Sequence, residues 1–99
     1  MLTFYGIGKV KKDKISLVEK ASDLFMKEVA KEEGVLDFKF YWHKEEPTWF
    51  LAHEVYKDEE AFEKHRKTQH VDDFIEVLMA SADEDVIRGF WEEFASINR

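Results

Sequence analysis

Residues 35–56, VLDFKFYWHKEEPTWFLAHEVY, carry the strongest structural signal in this chain of 99 residues. In the first half, large apolar side chains recur at every second position: Leu36, Phe38, Phe40 and Trp42. A period of two is typical of a strand. Lys44–Pro47 is a turn that holds the only proline of the chain, and residues 48–56 have the pattern of a second strand. Two strands joined by so short a turn predict a β-hairpin.

The segments before the hairpin have the pattern of a strand and a helix. Residues 2–10 alternate like a strand, and the two glycines within it, Gly6 and Gly8, predict a bulge or a close approach by another part of the chain. Apolar residues recur at helical spacing over residues 15–33. Gly34 follows, so we expect it to end this helix in the left-handed conformation that glycine favours.

The segments after the hairpin predict a broken helix and a last strand. We expect Asp58 to cap the helix, which breaks near residues 68–70 before a second helical piece at residues 71–80. Residues 86–94 have the pattern of a strand. The resulting order, β-α-β-β-α-β, is that of the α+β ferredoxin-like fold, a four-stranded antiparallel sheet with both helices on one face. We expect residues 1–99 to form a single domain.

Composition excludes several classes of protein and of site. The net charge is −7 and the basic residues are mostly scattered, which argues against a nucleic-acid-binding protein. The absence of cysteine excludes disulfides, zinc–thiolate sites, iron–sulfur clusters and cysteine nucleophiles, and fits a cytoplasmic protein. No apolar run approaches the length of a membrane span, and Met1–Val10 lacks the pattern of a signal peptide.

The aromatic residues predict more than one buried surface. They occur on both faces of the predicted strands, as Phe40 beside Tyr41 and Trp49 beside Phe50. Two helices can cover one face only, so rings on the other face would form an exposed apolar patch of the kind that binds a partner. The simplest partner is a second copy related by a two-fold axis. We therefore predict a homodimer that packs sheet against sheet.

The segment at residues 54–70, EVYKDEEAFEKHRKTQH, resembles the signature of the antibiotic biosynthesis monooxygenase (ABM) domain family. That signature contains E-x-Y/W, an acidic turn, A-F/L-x-x-H and x-x-S/T-x-H, followed by an aromatic residue, here Phe74. Glu33-Gly34 before an alternating strand is similar to the family's E-x-G. The resemblance covers residues 32–74. It implies a dimeric α+β barrel with a ligand pocket between the sheet and the helices of each protomer.

The family contains several activities, and its haem branch can be compared with this chain directly. Members include cofactor-independent monooxygenases of phenols and hydroquinones, isomerases of a phosphorylated signalling sugar, and haem-degrading enzymes. Members that degrade haem have a tryptophan at the position that corresponds to His65 here, and an iron-ligating histidine at the position that corresponds to Ile75. They also carry an asparagine on the first strand, whereas the first asparagine here is Asn98. We therefore expect no cofactor.

Oxygenation without a cofactor needs a base and donors for an oxyanion, because a deprotonated phenol can pass an electron to O2. His70, at the helix break, is our first candidate for the base. The alternative is that His70 caps the helix that starts at Val71. His65 is a second acid/base candidate, or else a cation that stabilises the end of its helix.

Two side chains of the strand at residues 48–56 complete the predicted site. Glu54 is an acid within an apolar strand, so it needs a partner. It could orient a histidine, act as the base, or pair with a cation across the dimer, while Tyr56 on the same face could donate to an oxyanion. Glu54, His65 and His70 are also a conceivable two-histidine-one-carboxylate set. The spacing of the histidines is not a known ligand spacing, so we expect no metal.

Together these residues predict a homodimer that oxygenates a small quinol or phenol-like substrate with O2, using His70 as base and Glu54 in support. One alternative is an isomerase of a phosphorylated hydroxy-ketone, of the autoinducer-processing type. The chain offers four candidate cations for that phosphate: Lys9, Lys11, Lys12 and Arg88. The other alternative is a non-catalytic dimeric module that binds a small molecule. We expect no nucleic-acid or membrane partner.

Overall fold

The computed structural model describes residues 1–84 and 86–99, and its elements follow the predicted order. The strands are β1 (Leu2–Lys9), β2 (Val35–Trp42), β3 (Trp49–Tyr56) and β4 (Ile87–Trp91), and the helices are α1 (Ile15–Val29), α2 (Glu59–Arg66) and α3 (Gln69–Ser81). The strands form one antiparallel sheet in the order β2-β3-β1-β4. The ferredoxin-like α+β fold is therefore confirmed, with its second helix broken in two. No helix in the described part of the chain is long and apolar enough to cross a membrane.

The turn between α1 and β2 differs from the prediction in two ways. α1 ends at Val29, earlier than expected, so Glu32 lies in the turn. Gly34 does not have a positive φ, and its expected role as a left-handed helix cap is therefore wrong. A Cβ atom at this position would collide with the Cβ atom of Ala61 in α2. Glycine is needed here because α2 packs directly on the start of β2.

β2 begins with an irregularity that moves one side chain to an unexpected side. The register against β3 shifts between Val35 and Asp37, which displaces Leu36 from the alternation. Leu36 is exposed, whereas Val35 packs against the core. The prediction that Leu36 shares a face with Phe38 is therefore wrong.

The break between α2 and α3 brings two helix ends together. Asp58 caps α2 as predicted, since its side chain accepts a hydrogen bond from the backbone N–H of Ala61 at 2.9 Å. Thr68 caps α3 by accepting from the backbone N–H of Val71 at 3.3 Å. Because α2 ends at Arg66 and α3 begins at Gln69, the last turn of α2 lies beside the first turn of α3.

The helices cover one face of the sheet, and aromatic residues lie on both faces. The strands direct seven aromatic residues toward the helices: Phe4, Phe38, Phe40, Trp42, Phe50, Tyr56 and Phe90. The opposite face has no helix packed on it in the described part of the chain. We call it the bare face, and its aromatic and large aliphatic residues are Tyr5, Ile7, Tyr41, Trp49, Leu51, Ile87 and Trp91. Aromatic side chains thus occur on both faces, as predicted.

Candidate active site

A cavity of about 510 Å³ lies between the sheet and the helices. Its walls are mainly phenylalanine rings: Phe4, Phe25, Phe38, Phe40, Phe50, Phe62 and Phe74. Among the described residues, four charged or titratable side chains line it: Glu54, His65, Arg66 and Arg88. A volume of this size with an apolar lining and a few polar groups suits one small aromatic molecule.

The cavity exists because two small residues face the helices in one row of the sheet. Gly6 in β1 pairs with Ala52 in β3 and with Arg88 in β4, and Ala52 pairs in turn with Phe40 in β2. Directly paired residues of antiparallel strands lie on the same face. The row therefore has a hollow at its centre and an arginine at its end. β1 pairs without a bulge on either side, so Gly6 provides space rather than an irregularity.

Glu54 and Tyr56 form a hydrogen-bonded pair on the helix-facing side of β3. Tyr56 is fully buried and Glu54 is 8% exposed, and the Tyr56 hydroxyl donates to Oε1 of Glu54. Burial raises the pKa of Glu54 to about 7, and the hydrogen bond from Tyr56 opposes that shift. Burial, followed by the charge of Glu54, raises the pKa of Tyr56, so its phenol keeps its proton. Glu54 can therefore hold or release a proton near neutral pH.

His65 lines the cavity from the last turn of α2 and is buried. Its Nδ1 lies 3.0 Å from Oε2 of Glu32. Burial lowers the pKa of His65, and the hydrogen bond and charge of Glu32 offset only part of that effect. A buried ring whose pKa is lowered does not fit the alternative role of a cation at a helix end.

The second ring nitrogen of His65 is accessible. Nε2 makes no hydrogen bond within residues 1–84 and 86–99. In that part of the chain, every fully buried side-chain nitrogen has a hydrogen-bond partner. Nε2 is therefore not sealed inside the protein, and the cavity is the space that His65 lines. If Nδ1–H donates to the Glu32 carboxylate, the lone pair of Nε2 is free to accept a proton.

His70 contacts the same carboxylate oxygen of Glu32 as His65 does. Its Nε2 is 2.8 Å from Oε2 of Glu32, and the two imidazole rings are 6.2 Å apart. His70 is not among the described residues that line the cavity. The alternative that His70 caps α3 is wrong, because Thr68 is the cap.

Glu32 is the central residue of this cluster, and the sequence prediction missed it. The predicted helix ran to residue 33, which placed Glu32 on a helix surface instead of in a turn. The signal was present, however: in the family pattern E-x-G, the residue two positions before Gly34 is Glu32, not Glu33. The turn after α1 brings this carboxylate to two histidines more than thirty positions later in the chain.

The structure divides the four predicted site residues into two pairs. Glu54 and Tyr56 bond to each other, while His65 and His70 both contact Glu32. The rings of Tyr56 and His65, 5.3 Å apart, connect the pairs. Glu32, His65 and His70 each offer one ligand atom, and these three atoms lie within 4.8 Å of one another. A divalent cation could therefore bind between them, in place of the hydrogen bonds from the histidines to Glu32. Glu54 is not part of that group, which differs from the set considered from sequence.

Comparison with known proteins identifies the family. The family model described as antibiotic biosynthesis monooxygenase matches residues 7–77. The chain belongs to this family. None of the curated proteins matches the chain. The ABM match includes Glu32, Glu54, Tyr56, His65 and His70, so the whole cluster lies inside the family domain.

Solved structures share the fold at low sequence identity. A candidate ABM protein of Nitrosomonas europaea superposes with a TM-score of 0.87 at 20% identity, covering 96% of this chain and 100% of that one. A conserved protein of Methanosarcina mazei Go1 gives a TM-score of 0.84 at 23% identity, with 95% of each chain covered. A candidate ABM protein of Deinococcus radiodurans gives 0.84 at 18% identity, covering 100% and 98%. At such identities the similarity establishes the fold alone.

Proposed function

We propose that this ABM protein is a cofactor-independent monooxygenase of a small quinol or phenol-like substrate. One observation carries the proposal: His65 lines an aromatic cavity, its Nδ1 is held by Glu32, and its Nε2 is neither hydrogen-bonded nor fully buried among the described residues. A carboxylate on one nitrogen sets the ring orientation and tautomer and makes the other nitrogen a better base. Because burial lowers the pKa of His65, the ring is neutral at pH 7 and ready to accept a proton.

The proposed reaction needs no electron donor besides the substrate. His65 Nε2 takes the proton of one hydroxyl group, and the resulting phenolate passes one electron to O2. The two radicals combine into a ring hydroperoxide. The ring C–H proton then leaves and the O–O bond breaks, so that one oxygen atom stays on the ring as a carbonyl or hydroxyl group and the other becomes water. A hydroquinone and O2 thus give a hydroxyquinone and water, with all four electrons supplied by the substrate.

Glu54 and His70 take supporting roles in this proposal. A carboxyl group whose pKa is about 7 can protonate the oxygen that leaves as water, and Glu54 lines the cavity. Tyr56 keeps Glu54 in place through its hydroxyl group. His65 Nδ1 and His70 Nε2 contact the same oxygen of Glu32, so when His65 Nε2 takes the substrate proton, the proton on Nδ1 can pass through Glu32 to His70. The sequence prediction of His70 as the base itself is tested alongside His65 below.

We also propose that two copies pack through the bare face. Tyr41, Ile87 and Trp91 are exposed there, and the rings of Tyr5 and Trp91 contact edge to face at 6.0 Å. Tyrosine and tryptophan are enriched at interfaces because they bury area and still satisfy a polar group. Such a dimer would leave the helix-facing cavity of each copy intact.

The test is oxygen uptake with a panel of hydroquinones and phenols, measured for the purified protein and for His65→Gln. We expect uptake with at least one compound and a loss of about 100- to 10,000-fold in kcat for His65→Gln. His43→Gln is the matched control, because the His43 ring only accepts hydrogen bonds from the backbone N–H groups of Glu45 and Glu46. Dialysis against a chelator should leave the rate unchanged.

The remaining outcomes decide between the alternatives. If His70→Gln abolishes uptake and His65→Gln does not, His70 is the base, as the sequence suggested. No uptake above background with any compound would contradict the oxygenase and favour the isomerase or the non-catalytic module. A rate lost with the chelator and restored by a divalent cation would mean that Glu32, His65 and His70 hold a metal.

A further inference from the structure

The proposed oxygenase uses two of the four charged or titratable side chains that line the cavity. Glu54 and His65 have roles in that reaction, whereas Arg66 and Arg88 have none. Two arginines beside a cavity of phenylalanine rings are not needed to bind a neutral quinol. They therefore bear on which substrate the cavity accepts.

Arg66 already has a carboxylate partner. Its Nε lies 2.8 Å and its Nη2 2.7 Å from Oε2 of Glu63, one turn earlier on α2. This two-donor contact turns the guanidinium toward Glu63, so a ligand would have to compete with that carboxylate for it. Arg66 therefore shapes the edge of the cavity more than it attracts an anion.

Arg88 is placed differently. Arg88 lies in β4 and pairs with Gly6 of β1 on the helix-facing side of the sheet. It is at the end of the row of residues that forms the floor of the cavity. In the part of the chain that the structure describes, no carboxylate lies within ion-pair distance of Arg88. With no Cβ at Gly6, the floor beside the arginine is open, and the nearest heavy atom to a Cβ there would be that of Ala52 at 3.8 Å.

The two ends of the cavity are chemically opposite. Glu54 lies on β3 and Arg88 on β4, with β1 between them, so their strands are about 10 Å apart. Both residues line the same cavity, so one aromatic ligand within it can contact both of them. Burial raises the pKa of Glu54 to about 7, so at pH 7 this end of the cavity repels an anion less than a fully ionised carboxylate would.

We propose that the substrate is an aromatic acid, a phenol or quinol with a carboxylate substituent, whose carboxylate is bound by Arg88. The guanidinium matches a carboxylate with two parallel hydrogen bonds. The phenylalanine walls pack against the ring. A local cation is needed because the chain carries a net charge of −7, which repels an anionic ligand at long range. This inference rests on the proposed function for the reactive end of the ligand only.

The test is equilibrium binding without oxygen, using gentisate, a hydroquinone carboxylate, and its methyl ester as probes. We expect the protein to bind gentisate about 10- to 100-fold more tightly than the ester, which has the same ring and no charge. Arg88→Met should remove that preference and leave the affinity for the ester unchanged. Arg88→Lys should keep part of it, since lysine supplies the charge without the two-donor geometry.

Lys64→Met is the matched control, because Lys64 is exposed on α2 and pairs with Glu60 at 3.3 Å. It removes the same charge away from the cavity. Equal binding of the two probes by the unaltered protein, or an equal loss of gentisate affinity in Lys64→Met and Arg88→Met, would overturn the proposal. If Arg88→Met fails to fold, Arg88→Gln is measured in its place.

Binding and turnover separate this inference from the proposed function. Arg88-dependent preference for gentisate with no oxygen uptake would refute the oxygenase and retain the carboxylate subsite. Oxygen uptake with the methyl ester at the same kcat/KM as with gentisate would refute the subsite and retain the oxygenase.

Discussion

The two faces of the sheet use aromatic residues in different ways. Toward the helices the strands present five phenylalanines together with Trp42 and Tyr56, and the ring of Phe40 stacks on Phe25 and Phe74 at centroid distances of 5.8 and 5.0 Å. On the bare face they present tyrosine and tryptophan, with Trp91 53% exposed. Rings without polar atoms suit a dry interior, and rings with a polar atom suit a surface that can be wet or buried. All five phenylalanines of the strands therefore face the helices, and every aromatic ring on the bare face carries a polar atom.

The helix-facing side is also uneven within itself. Around Phe25 and Phe74 it is filled by stacked rings, while at Gly6 and Ala52 it is hollow. Glu54 and His65 line that hollow, and the ring of His65 also lies 6.0 Å from the ring of Phe25. Two of the side chains that we propose for the reaction therefore border the least filled part of this face.

The largest expected effect comes from substituting, one at a time, two adjacent residues of β3 whose side chains point to opposite faces of the sheet. Phe50, 5% exposed, contacts the rings of Phe40 and Phe74, so Phe50→Ala should lower the free energy of unfolding by about 3 to 5 kcal/mol. Leu51→Lys should leave the folded monomer intact and dissociate the proposed dimer. Denaturant unfolding and sedimentation mass measure the two effects. If Leu51→Lys has the same mass in solution as the unaltered protein, whether that mass is of a monomer or of a dimer, the bare face is not the dimer interface.

The next effect is a change in the pH dependence of stability. The pKa of Glu54 is about 7 in the folded protein and near 4.5 when unfolded. Between these values the folded state binds more protons at this site, so its contribution to stability falls as the pH rises. His65 acts in the opposite direction below pH 6.5, since burial lowers its pKa and the unfolded state then binds more protons there. The two slopes partly cancel, so the effect of Glu54 is best measured by difference.

Glu54→Gln isolates that contribution, because glutamine can still accept the hydrogen bond from Tyr56. Relative to the unaltered protein, the variant should gain about 3 kcal/mol of unfolding free energy between pH 5 and pH 8. Glu60→Gln is the matched control, because it makes the same substitution at an exposed carboxylate of α2, away from Tyr56. Parallel stability curves for Glu54→Gln and the unaltered protein would show that Glu54 is not a buried acid.

Sequence patterns predicted what depends on local periodicity and missed what depends on contacts between distant segments. The order of strands and helices followed from alternation and caps, as at Asp58. Leu36 was misplaced because a bulge changes the period at one residue. Glu32 was missed because its partners, His65 and His70, come from helices far along the chain. Gly34 was identified as necessary, but for backbone handedness instead of the contact with Ala61.

The smallest expected effect is a difference in stability between alanine substitutions at two glycines of β1, Gly6 beside the cavity and Gly8 beside Val86. A Cβ atom at Gly8 would lie 2.9 Å from Cγ2 of Val86, so Gly8→Ala requires a shift and should cost about 1 to 2 kcal/mol. A Cβ atom at Gly6 would meet Ala52 at 3.8 Å, an ordinary contact, so Gly6→Ala should be neutral or stabilise the protein by up to about 1 kcal/mol. Thermal unfolding measures both. If Gly6→Ala destabilised the protein as much as Gly8→Ala, the floor beneath the cavity would be packed, and the space assigned to a substrate would not be there.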